Sequence, residues 1–196
     1  MIKRVLLFTC VCTLTVLSTS AQTFRNKLFP SNEISGEEFK KQAINKIQSL
    51  QNYLEVLVKN DQNTSKTAKN AAVENAVRLF SDENRVVEVN STSRPKPRKL
   101  KVRQYLVRIA FLSDKVYDKV TIRFYDVFFI SNFKKRPDGK YEAVVSMSQK
   151  FTGEGDRPYS DVVQKNVQII LVPIQKPEGT YYEVKLGDIS ITDNNI

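Results

Sequence analysis

The chain has 196 residues and a formal net charge of +10, from 31 Lys and Arg against 21 Asp and Glu. It contains no His and no Trp, and its only cysteines are Cys10 and Cys12. That length suits one domain with its own core. The lack of His removes His-based acid–base catalysis, His-containing zinc sites and Ser-His-Asp triads.

Residues 1–21 read as a secretory signal peptide. Lys3 and Arg4 form the charged start, residues 5–17 form the apolar run, and Thr19-Ser20-Ala21 supplies small residues before Gln22. The apolar run is too short for a membrane anchor, which wants about 20 apolar residues. A lipoprotein would need a Cys at the cut, and both cysteines lie well before it. Cleavage would take both away and leave no disulfide, reactive thiol or thiolate metal site. The expectation is export to a periplasm, outer envelope or extracellular space, as neither a lipoprotein nor a membrane-spanning protein.

An irregular arm, 22–33, comes next, and one domain is expected over 34–193. Ser35-Gly36-Glu37-Glu38 fits a capping box opening the first helix. Phe39, Ala43, Ile44, Ile47, Leu50, Leu54, Leu57 and Val58 recur at steps of three and four and form its apolar stripe. A polar loop, 60–65, leads to a second helix over about 66–80, striped by Ala72, Val73, Ala76, Val77 and Phe80. A short strand is expected at 86–89, then an extended connector, 93–99, held open by Pro95 and Pro97. Tyr105, Leu106, Ile109 and Leu112 mark a short third helix.

From Val116 the period changes to two. One strand face is expected to carry Val120, Ile122, Phe124, Phe128 and Ile130. Turns at Pro137-Asp138-Gly139, 153–158 and 176–179 separate it from three further strands. The order is α-α-β-α-β-β-β-β. Short turns make the strands antiparallel neighbours, and helices must cover one face of their sheet. Four to five antiparallel strands are expected.

That order resembles the NTF2-like fold, an α+β cone shared with ketosteroid isomerases and scytalone dehydratases. Asp138-Gly139-Lys140-Tyr141, Gln149-Lys150-Phe151, Tyr159-Ser160-Asp161 and Leu186-Gly187-Asp188-Ile189 resemble stretches of secreted bacterial NTF2-like domains of unassigned function. The resemblance covers about residues 34–193. It implies helices on one face of a curved antiparallel sheet, and a homodimer through paired sheets. In the enzymatic branches an Asp base works with a Tyr, a protonated Asp or a His. The His version has no counterpart here, and no motif fixes which Asp would be the base.

Four polar residues break the apolar rows. Asp126 falls between Phe124 and Phe128, Gln149 between Met147 and Phe151, Lys165 between Val163 and Val167, and Asp188 after Val184 and Leu186. Hairpin arithmetic allows Asp126, Gln149, Lys165 and Asp188 to form one polar band across four strands at the cone mouth. Three readings follow: a satisfied ion pair, a ligand pocket, or proton transfer with Asp126 as base.

From Val89 to Ser113 there are seven basic residues and no acidic one. Arg94, Lys96, Arg98, Lys99, Lys101 and Arg103 form a basic patch that reads as a solvated connector or a surface for anionic partners. No nucleic-acid module is recognisable. No phosphate-loop, dinucleotide or EF-hand signature appears, so neither cofactor nor metal is expected. The expected function is an exported, non-enzymatic domain binding a small ligand or an envelope protein. The alternatives are a proton-transfer enzyme and a structural envelope protein.

Overall fold

A computed structural model describes residues 33–34, 36–60, 65–90, 96–177 and 179–192. The expected signal peptide, nearly all of the arm, Ser35 and Arg94 lie outside the described residues.

Helix α1 (Glu37–Val58) buries Phe39, Ala43, Ile47, Leu50, Leu54 and Leu57, while Ile44 and Val58 of the expected stripe are only partly buried at its border. Its cap position is Gly36, with no side-chain cap hydrogen bond. Helix α2 (Lys66–Val77) starts at Ser65, whose hydroxyl accepts the Ala68 N–H at 3.1 Å. Ala72, Val73 and Ala76 are buried, and small residues there let α1 approach closely. Helix α3 (Val102–Lys115) is longer than expected and buries Val102, Tyr105, Leu106 and Ile109. Its C-terminal end is tied to α1, because the Ser113 hydroxyl donates to the Val58 carbonyl at 2.8 Å.

The strands are β1 (Glu33–Ile34), β2 (Val86–Val89), β3 (Arg98–Lys101), β4 (Lys119–Phe129), β5 (Phe133–Lys135), β6 (Tyr141–Glu154), β7 (Tyr159–Lys176) and β8 (Gly179–Ile191). They form an eight-stranded sheet in the order β1-β5-β6-β7-β8-β2-β3, and β4 pairs β6 beside β5. The expected order holds, with three short strands added. The expected wholly antiparallel sheet does not, because β2 runs parallel to β8 at Val87 and Ile189. The connector is also corrected. Arg98 to Lys101 form β3, paired antiparallel to β2.

Three helices against one face of a curved sheet give the α+β, NTF2-like cone expected from the sequence. One end is filled by aromatics. Phe133 meets Phe39 at 6.3 Å and Phe129 at 5.8 Å, and Tyr141 meets Tyr182 at 5.4 Å. Among the described residues no helix is long and apolar enough to cross a membrane.

Two bulges set which residues face the helices. On β4, Tyr125 pairs with Ser148 and Phe128 with Ser146, so Asp126 and Val127 together oppose Met147. On β8, Ile189 pairs with Val167 and Leu186 with Ile169, so Gly187 and Asp188 together oppose Gln168. An extra residue reverses the alternation beyond it. Phe128 and Ile130 therefore stand exposed, at 51% and 52%, where an inward row was expected. Val127 and Phe129 pack against the core instead.

Candidate functional site

Beyond the filled end, α3, the end of β2, β6 and β7 enclose a cavity of about 240 Å³. Strand pairing determines its sheet side. Gln149 pairs with Val163, Phe151 with Asp161, and Lys165 with Met147, so these residues share the helix-facing side. Tyr105, Arg108, Ile109 and Leu112 line it from α3, and Tyr117 and Tyr159 close one end. The edge of Tyr117 meets Phe151 at 5.9 Å, and Phe151 meets Tyr159 at 6.0 Å.

Lys165 is the buried charge of this cavity, only 2% exposed. Its Nζ donates to the Glu88 carbonyl oxygen at 2.8 Å and stands 5.8 Å from the centre of the Tyr105 ring. Burial pushes the ammonium from its ordinary 10.5 down to about 8, against the opposing pull of Asp161 and Glu88. Glu88 turns its carboxylate elsewhere, accepting the Ile191 N–H at 2.9 Å and facing Lys99 at 3.6 Å. No carboxylate of the described residues lies within ion-pairing distance of Lys165.

The Tyr159 hydroxyl donates to Asp161 at 2.9 Å. Burial first, and then that carboxylate, push the phenol up to about 12. Burial also raises Tyr105, whose hydroxyl hydrogen-bonds the Gln149 side chain. Both phenols therefore stay neutral near pH 7 and act as hydrogen-bonding groups.

Of the four residues of the expected polar band, Gln149 and Lys165 line this cavity. The two acids do not. Asp126 is exposed in the β4 bulge with φ 51°, a left-handed conformation that Asp tolerates better than most residues. Asp188 is exposed in the β8 bulge, where its Oδ1 accepts the Val86 N–H at 2.8 Å and its Oδ2 faces Arg85 at 3.7 Å. The facing Asp126–Lys165 pair is therefore corrected, and with it Asp126 as a base inside the cone. Asp161 is the acid that the band missed. Its signal was its place in the row Tyr159-Asp161-Val163-Lys165, two residues before an apolar position on an unbulged strand.

The basic patch is dispersed rather than concentrated. Lys96, Arg98, Lys99 and Lys101 are exposed, while Arg103 forms a bidentate pair with Glu74. Lys101 donates to Asn84 at 2.8 Å. Arg108, from the same run, reaches the cavity. Among the described residues no cluster of His, Cys, Asp or Glu could hold a metal ion.

No family model matches the chain, and no curated protein does. Among solved structures it is similar to ActVI-ORFA from Streptomyces coelicolor, at 16% identity and a TM-score of 0.39, over 78% of this chain and 98% of that one. It is similar to a scytalone dehydratase-like protein from Novosphingobium aromaticivorans, at 12% identity and a TM-score of 0.36, over 81% and 92% of the two chains. A phenazine biosynthesis-related protein from Pseudomonas aeruginosa aligns at 10% identity and a TM-score of 0.35, over 82% and 83%. These scores are low.

Proposed function

We propose that this protein is an exported, non-enzymatic NTF2-like domain that binds a small organic ligand between α3 and the β6–β7 face. One observation carries the reading: a cleft of about 240 Å³ holds a buried ammonium, Lys165, among aromatic and aliphatic side chains and the polar Asn90, Arg108, Gln149 and Asp161. Small-molecule sites have this composition, with apolar walls and a few converging polar groups. Binding is favoured over proton transfer because it needs only the cavity and its buried charge, whereas proton transfer needs an acid or base aligned with a second stabilising group. Export rests on the charged, apolar and small-residue order of residues 1–21.

The test is a ligand screen by NMR, using a fragment panel balanced between acids, amines and neutral compounds. Bound fragments should shift the amides of Tyr105, Gln149, Val163 and Lys165 together. A panel that yields hits only elsewhere on the molecule, or none, would remove this reading. For export, N-terminal sequencing of secreted protein should begin at Gln22, and a product that retains Met1 would defeat that part.

A further inference from the structure

The cavity is chemically lopsided. Lys165 has three N–H groups, and the Glu88 carbonyl takes one of them. An ammonium this deeply buried is costly unless a counter-charge sits near it. The charged side chains that face it come from three elements. From β2, Glu88 offers its carbonyl oxygen but directs its carboxylate to Ile191 and Lys99. From β7 itself comes Asp161, which accepts the Tyr159 hydroxyl and pulls on the ammonium without pairing with it. From α3 come the neutral phenol of Tyr105 and a second positive charge, Arg108. Two cations and one acid line the cavity, so its charge is left positive by one.

The walls beside this charge are aromatic. At one end Tyr117 meets Phe151 edge-to-face and Tyr159 tilts against Phe151, and Val163 and Gln149 lie between them and Lys165. Rings packed this way offer edges and faces to a further ring. We propose that the cavity takes an aromatic monocarboxylate, with its acid group on Lys165 and its ring over Val163 toward Phe151. This rests on the reading of the cavity as a ligand site, and it names the ligand class. The carboxylate would supply the counter-ion that the described residues do not place beside Lys165. The remaining ammonium protons would donate to it as charge-assisted hydrogen bonds.

Three near-isosteric probes separate this from general cavity binding: 3-phenylpropanoate, 3-phenylpropanamide and 3-phenylpropylamine. At pH 7 the acid should bind at least tenfold more tightly than the amide, and the amine more weakly still. Lys165→Met should abolish the preference for the acid, so that acid and amide bind within about twofold of each other, whatever the change in their common affinity. In the wild-type protein the preference should shrink as pH rises past about 8, where Lys165 of the unliganded protein gives up its proton. That readout stands even if the variant fails to fold. Equal affinity for acid and amide overturns the proposal while leaving the cavity a ligand site. So does a preference that survives Lys165→Met or is flat from pH 7 to pH 10. Failure of all three probes, with fragments of other chemistry still mapping to the cavity, also overturns it. Failure of every fragment overturns the proposed function as well.

Discussion

Tyr117 lies so close to Gly153 that a Cβ added to the glycine would stand 2.6 Å from the ring's Cδ1. The same ring borders the cavity and meets Phe151 edge-on. Gly153→Ala should therefore displace Tyr117 and cost about 1–3 kcal/mol, as overpacking does. In a Tyr117→Ala background the cost should largely vanish. Urea melts of the single and double variants measure the coupling. Additive effects would mean that the ring does not rest on the glycine.

Gln51 ties α1 to the sheet. It is a buried polar residue on an otherwise apolar stripe, and its Oε1 accepts the Phe124 N–H at 2.6 Å while its Nε2 donates to Glu55 at 3.1 Å. Gln51→Leu keeps the volume and leaves the half-buried Phe124 N–H without its acceptor. That should cost about 1–3 kcal/mol. A loss under about half a kilocalorie, measured in denaturant melts, would show that the N–H finds another acceptor.

The β4 bulge makes a prediction about Asp126 that differs from that of a buried ion pair. At φ 51° and exposed, the residue is held by its backbone. Asp126→Gly should be neutral or slightly stabilising. Asp126→Val should cost about 1–2 kcal/mol, because a β-branched residue is strained there. Asp126 and Lys165 substitutions should be additive. Coupling above about 0.5 kcal/mol in a double-mutant cycle would put the two side chains in contact after all.

Lys165 makes stability depend on pH. Its folded value, about 8, lies below its ordinary 10.5. Below pH 8 both folded and unfolded chains carry the proton, and the cost of the buried charge is fully present. Between about pH 8 and 10.5 the unfolded chain holds more protons than the folded one, so this group's contribution to stability rises with pH. The rise should be on the order of 3 kcal/mol. Lys165→Met should be neutral or stabilising at pH 7 and should lack that rise. The difference between the two melting series, taken from pH 7 to pH 10.5, isolates the group from other titrations. A variant that loses several kcal/mol at pH 7 would mean that the ammonium has a buried ionic partner.

Periodicity determined the three helices and five of the strands, while the short β1, β3 and β5 left no such signal. The step of three and four from Phe39 to Leu57 can bury a single stripe only as a helix, and the change to period two near Val116 can only be strand. The turn at Pro137-Asp138-Gly139 was equally local, since Gly139 takes φ 80°. The sequence also marked four strand positions where a polar residue interrupts an apolar row. What it could not supply was the reason for each interruption. A polar residue enters such a row either because it lines a cavity or because the strand gains an extra residue and the row changes sides. Gln149 and Lys165, on unbulged stretches of β6 and β7, are of the first kind. Asp126 and Asp188, each in a bulge, are of the second. Only the pairing of β4 with β6 and of β7 with β8 separates the two cases, because a bulge is defined by the strand opposite it. The cavity was set the same way. Lys165 became its buried charge when β2 placed the Glu88 carbonyl 2.8 Å from its Nζ, across 77 residues of chain.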